Sequence, residues 1–299
     1  MNRHQRGQSL VELLISLVLG LAFSGGISEL FIQTQETFRA QRALSYIMED
    51  GRYALEIMSK ELRQTGFLRN KLEINGKADQ LFRADPAVLD SENISPKIDL
   101  SQKEFIHGAI KDAFVLKYQL NNKYDLSATD PGNALSPCVQ NLTLDNGENP
   151  ETEANVVTTY FYVKNDSNNI PTLYCSAKRE IVTADDVTCV KPANCSETAP
   201  TGLPIIANVE KLVVKYGIKI DPNGTQYNTS DDEYYYASAN EVNDWTQVVA
   251  AKLFVVLRSE DDGLTQKAAT YSIEGTTYQA SDKRFYRVFS TTIAFRNGI

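Results

Sequence analysis

The sequence has few of the residues that carry most enzyme chemistry. Its 299 residues include two histidines, His4 and His107, one tryptophan, Trp245, and four cysteines. It contains no Gly-x-Ser-x-Gly elbow, phosphate-binding loop or His-Glu-x-x-His pair. The common routes to acyl transfer, phosphoryl transfer and zinc-assisted hydrolysis therefore lack their residues. A Ser–His–Asp arrangement would have to use His107, because His4 sits in the short basic N-terminus. A lone His107 beside Gly108 fits a surface or capping role better. Cys138, Cys175, Cys189 and Cys195 form no Cys-x-x-Cys pair, which argues against a compact zinc site. No catalytic residue, metal ligand or cofactor is expected. No long basic run follows Arg6, and the net charge is −8. Phosphate binding needs clustered Lys and Arg, so direct binding of nucleic acid is not expected. No proline precedes Pro86, so nothing breaks a helix over the first quarter of the chain.

What is present is enough apolar material, 42%, for one large domain or two small ones. Residues 1–7 are short, polar and basic. Sixteen uncharged and mostly apolar residues follow between Glu12 and Glu29. With Leu10 and Val11 the stretch is about long enough to span a bilayer as a helix, at ~1.5 Å per residue. Arg3 and Arg6 precede it, so the positive end stays cytoplasmic and the body is exported. Three readings compete. A secretory signal peptide would be cut after the apolar run, and Ala22-Phe23-Ser24 offers a small-x-small site. A plain membrane anchor would not be cut. A leader cut before the run would leave the apolar helix as a packing element. Glu12 separates them. An ionised, unpaired carboxylate at the edge of an apolar segment costs several kcal/mol. Only a polymer of packed helices has a use for it, because it can pair with a new amino terminus on a neighbour.

Gly7-Gln8-Ser9-Leu10-Val11-Glu12 resembles the leader junction of type IV pilins and of the pseudopilins of type II secretion. The resemblance implies cleavage by a prepilin peptidase between Gly7 and Gln8. It also implies N-methylation of Gln8, and makes Glu12 the fifth-position glutamate and an assembly contact. Many major pilins begin the mature chain with Phe; Gln8 departs from that and suits a minor pilin.

Beyond the apolar run, Leu44, Met48, Gly51, Leu55, Met58 and Leu62 recur at steps of four and three, forming one helical stripe. A helix is expected from about Leu10 to about Thr65, ending near Gly66, with a bend or local melting at Gly20, Gly25 and Gly26. Gly51-Arg52-Tyr53-Ala54-Leu55-Glu56, with Leu62-Arg63-Gln64-Thr65-Gly66-Phe67, resembles the end of the spine helix in the PilW family of minor pilins. Arg52 and Arg63 are expected to bridge to acids or cap carbonyls.

The body carries strand-like runs at about 113–120, 155–163, 171–178, 209–220, 247–258, 267–274 and 284–296. Residues 68–112 are expected to be loops, and turn-rich stretches lie at 121–153, 164–170, 183–204 and 221–243. A long helix followed by antiparallel strands is an α+β architecture. The expected fold is pilin-like, with one helix, transmembrane in its first half and amphipathic and periplasmic in its second, packed on antiparallel β-sheet. The expected division is a leader at 1–7, a transmembrane and filament-core helix at 8–33, the periplasmic half of the spine at 34–67, and a β-rich body at 68–299. Val209-Glu210-Lys211-Leu212, Tyr216-Gly217-Ile218, Trp245, Val248, Lys252-Leu253, Arg258, Arg287 through Ile293 and Arg296-Asn297 also resemble PilW and, more loosely, the GspJ pseudopilins.

Four cysteines behind an export signal suggest two disulfides in an oxidising compartment. Of three pairings, Cys189–Cys195, closing a short loop, with Cys138–Cys175 is favoured; free buried thiols are the alternative. The acidic stretches from Asp221 to Glu233 and from Glu260 to Gly263 do not fit an EF-hand and suit polar hairpin tips better than calcium sites. Tyr234-Tyr235-Tyr236 is either a contact surface or a strand on the sheet.

The resemblance implies a minor pilin that helps initiate type IV pilus assembly within a tip priming complex. Its implied partners are PilV-, PilX- and FimU-like minor pilins, the major pilin, a tip adhesin and the prepilin peptidase. The pilus would serve adhesion, twitching motility or DNA uptake. The protein would sit in the inner membrane by a single pass, with a periplasmic body, before joining a pilus at the cell surface. The alternatives are a GspJ-like pseudopilin of a type II secretion system and a membrane-anchored periplasmic binding protein or enzyme.

Overall fold

A computed structural model describes residues 10–65, 113–119, 138, 154–182, 187–189, 202–220, 233–242 and 247–295. The expected loops at 68–112, together with His107 and Trp245, lie outside the described residues.

The first element is one α-helix, α1, over Leu10–Gln64. It runs without interruption through Gly20, Gly25 and Gly26, so the expected local melting does not occur. Each glycine costs a helix about 1 kcal/mol relative to alanine, too little to break so long a cooperative run. Polar side chains in the apolar half satisfy themselves locally. The hydroxyls of Ser16 and Ser28 donate to the carbonyls of Glu12 and Ser24, at 2.8 and 2.9 Å. Past the last turn, the Thr65 amide donates to the Leu62 carbonyl at 3.2 Å.

Two antiparallel sheets follow. The first contains β1 (Ala113–Gln119), β2 (Ala154–Asn165), β3 (Pro171–Val182), β4 (Val187–Cys189) and β5 (Leu203–Ala207). Its order is β1-β2-β3-β4, and β5 also pairs with β3. The tight β2–β3 connection is held by Asp166, whose carboxylate accepts the amides of Asn168 and Ile170 at 2.8 and 2.9 Å. The second sheet contains β6 (Val209–Ile220), β7 (Glu233–Ala237), β8 (Val248–Arg258) and β11 (Tyr286–Ala294), in the order β11-β8-β6-β7. Between β8 and β11 in sequence, β9 (Thr270–Ile273) and β10 (Thr276–Gln279) form a separate hairpin. Its turn uses Glu274 and Gly275 at φ 49° and 80°. The chain passes from the first sheet to the second at Asn208, φ 62°, whose carbonyl accepts the Arg258 amide at 3.0 Å.

The polar half of α1 closes the core between the sheets. Ile47, Ala54, Met58 and Leu62 are buried with Phe114, Phe161 and Leu173 of the first sheet and Leu212, Leu253 and Val255 of the second. Each large apolar side chain buried there stabilises the fold by about 1.5–3 kcal/mol. The buried stripe is rotated from the expected one. Met48 is 41% exposed, and Leu44 and Leu55 are half-buried, while Ile47 and Ala54 take the inward positions. The cause is the approach of the sheet: small residues, Gly51 and Ala54, lie where α1 comes closest to it. The far face of the second sheet is covered at one end by the β9–β10 hairpin, which packs Ile273, Tyr271 and Tyr278 on Phe254 and Val256.

Candidate assembly interface

The apolar half of α1 stands clear of the body. Leu10, Val11, Leu13, Leu14, Ile15, Leu17, Val18 and the apolar residues onward to Ile32 are all exposed. Among the described residues, α1 is the one helix long and apolar enough to cross a membrane. An unbroken apolar surface of this size is stable only in lipid or against other helices. Glu12 lies in the first turn, where a carboxylate also suits the positive end of the helix dipole. Gly7 and Gln8 lie outside the described residues.

Further along, α1 changes from a free rod to a docked one. The Phe289 ring of β11 lies against Gly51, and a Cβ at that position would overlap the ring. Ala54, three residues on, is fully buried. The Gly51–Leu55 element is therefore the seat of the sheet on the helix. Arg52 and Arg63 point away as exposed side chains, and neither makes an ion pair or hydrogen bond with a described residue, contrary to the expected bridging. Glu61, by contrast, is fully buried. Its burial is not legible from residue type, because an acid between apolar positions looks like a solvent-facing residue.

Cys138 and Cys175 are joined by a disulfide that closes 37 residues of sequence. Cys175 lies on β3 inside the main core. The Cys189–Cys195 pairing lies outside the described residues, since no side-chain placement is described for either. The loop that begins at Glu260 is an internal network and not an open cage of carboxylates. Asp262 accepts the amides of Gly263 and Lys283 at 2.6 and 2.9 Å, and those two bonds hold its carboxyl below the usual range. Arg284 donates to the carbonyls of Ser259 and Glu260 at 3.1 and 2.8 Å. A guanidinium in that place opposes a bound cation. Among the described residues no group of acids, histidines and cysteines is arranged to hold a metal. The Asp221–Asp232 stretch and His107 lie outside the described residues.

Two family models match the chain. One, described as the prokaryotic N-terminal methylation motif, covers residues 2–28. The other, Type IV Pilus-assembly protein W (PilW), covers residues 160–297. The two matches together support a type IV pilin of the PilW kind. The two matches fall on the two parts that the structure separates, the exposed apolar helix and the β-rich body docked on its polar half. This PilW-family chain is thus a minor pilin of the type IV pilus system, anchored in a membrane by its N-terminal helix and assembled with other pilins. It is a structural protein by family. No curated protein and no solved structure matches it.

Proposed function

We propose that this PilW-family protein helps initiate pilus assembly from a priming complex at the pilus tip, and that it acts by assembly and not by catalysis. The observation that carries the reading is the division of α1. Its first half presents a mostly apolar surface to its surroundings, and its second half is docked on the body. Such a helix can leave lipid only by packing against other helices. In this reading residues 1–7 are the leader, 8–33 enter the filament core, 34–67 complete the spine and 68–299 form the body. Cleavage between Gly7 and Gln8 frees an amino group, which is then methylated. Glu12 of the incoming subunit pairs with the amino terminus of a neighbour, offsetting the several kcal/mol that burial of a lone carboxylate costs. The implied neighbours are PilV-, PilX- and FimU-like minor pilins, the major pilin and a tip adhesin, supporting adhesion, twitching motility or DNA uptake. Replacing Glu12 by Ala tests the reading. Export and membrane insertion should be unchanged while surface pili fall in number; normal piliation would sink the assembly role.

A further inference from the structure

The membrane helix carries its first cation at a definite height above the bilayer. About twenty residues of helix cross a hydrocarbon core of about 30 Å, at ~1.5 Å per residue. Residues 13–32 of α1 supply that length, and their large apolar side chains are exposed. Glu29 falls in the last turn of the span, where its carboxylate accepts a bond from the Gln33 amide at 3.4 Å. Beyond the core lies a headgroup layer about 5–8 Å thick. Arg39 is the first Lys or Arg after Arg6. Its Cα stands about 10 Å past Ile32 along the helix. Side chains on a helix lean toward its N-terminus, so Arg39 leans back toward the membrane. Its apolar stem then lies along the helix while the guanidinium meets the headgroups.

Around this height α1 sorts its side chains by face. Glu29 and Glu36 line up with the buried Ile47, on the side that the body covers further along. Phe38 stands about two and a half turns before Ile47, on the opposite side, and is 64% exposed. Phe31, about two turns before Phe38, shares its face and is equally exposed. Arg39 follows Phe38 directly and is exposed. Among the described residues Arg39 pairs with none, Glu36 one turn earlier included. Arg42 is also exposed but is engaged within the protein. Its Nε and Nη2 donate to the Tyr46 hydroxyl at 3.2 and 3.1 Å, and Asp261 and Glu260 of the body act on its charge. Arg39 is therefore the cation that α1 offers to the membrane, with an exposed aromatic ring beside it.

We propose that Arg39 binds the phosphate of an anionic phospholipid in the leaflet nearest the body, with Phe38 packed at the edge of the acyl region. The span of α1 sets the occupant, because the same helix that crosses the bilayer brings Arg39 to its surface. Guanidinium–phosphate pairs are charge-assisted and two-pronged, and an anionic leaflet attracts cations held near it. The contact fixes how far the helix rises before assembly, and it is given up when α1 leaves lipid for other helices. The inference rests on membrane anchoring and not on a role at the tip. The test reconstitutes the full chain in nanodiscs of phosphatidylcholine mixed with phosphatidylglycerol. The photo-crosslinker p-benzoylphenylalanine replaces Phe38 or, as a control inside the span, Leu17. Mass spectrometry should find phosphatidylglycerol among the adducts at 38 severalfold above its share of the bilayer. In Arg39→Gln that enrichment should vanish while the Leu17 adducts are unchanged, and in Arg42→Gln it should persist. Lipid adducts at 38 without enrichment would overturn the proposal, as would an enrichment indifferent to Arg39→Gln or lost equally in Arg42→Gln. Lipid adducts at 17 with none at 38, or only protein adducts there, would overturn it and leave the anchoring standing. No lipid adduct at either position would overturn the anchoring, and the proposal with it.

Discussion

The ring of Phe289 rests against Gly51, so the last strand of the protein is seated on the one residue of the spine stripe that has no side chain. In an exposed helix, alanine in place of glycine stabilises by about 1 kcal/mol. Here the methyl group meets the ring, and the sign reverses. Gly51→Ala should destabilise the protein by about 1–3 kcal/mol, the usual cost of overpacking a core. Denaturant titration of the full chain in detergent measures it. Gly51→Ala combined with Phe289→Leu should recover much of the loss, because the two residues share one contact. Equal losses with and without the second change would contradict the contact.

The same relationship shows how much was legible beforehand. The spine was readable because proline is absent before Pro86 and the apolar run continues into a helical stripe. The long strands were readable because Val, Ile, Tyr and Phe cluster in them; β6 was expected at 209–220 and spans Val209–Ile220. The stripe was placed in part: Gly51, Met58 and Leu62 are buried as expected, whereas Met48 is exposed. A search for large apolar residues picks Met48 over Ile47 and passes Ala54, whereas the sheet selects small residues where it comes closest. Short strands were also missed. β4, β5 and β10 have three to five residues each, and β10 is Thr-Thr-Tyr-Gln, with too few apolar positions to show a period. Tyr234–Tyr236 left two readings open, a strand or a contact surface, and the structure makes it an exposed strand.

The Cys138–Cys175 disulfide should contribute substantially to stability. Closing a loop of this length restricts the unfolded chain by about 4 kcal/mol in the chain-entropy account. Replacing both cysteines by Ala should lower the denaturation midpoint accordingly. Cys175 is fully buried, so reductant should act on the native protein only as fast as it opens. Rapid reduction without unfolding would contradict the burial.

Alkaline pH should weaken the fold. Burial pushes the Tyr162 hydroxyl up to about 12, with the neighbouring Tyr174 adding to it and the bond from the Gly202 amide opposing it. Burial also raises Tyr216 and, with help from Glu210 and Asp282, Tyr286. A tyrosine whose folded pKa lies above its unfolded value near 10 favours the fold while protonated. That stabilisation is complete below about pH 10 and is lost as the pH rises toward and through 12. Denaturation midpoints should be flat from pH 8 to 9.5 and fall above 10. Tyr162→Phe should make the fall shallower; an unchanged slope would remove Tyr162 as a cause.

To act as a pilin, the protein must have its N-terminal helix processed and then built into a filament. Mass spectrometry of this protein recovered from sheared pili tests both at once. The expected N-terminal peptide begins at Gln8 and carries one methyl group on its amino nitrogen. A chain found only in the membrane fraction, with Met1–Gly7 still attached, would show that this protein is neither processed nor assembled as a pilin.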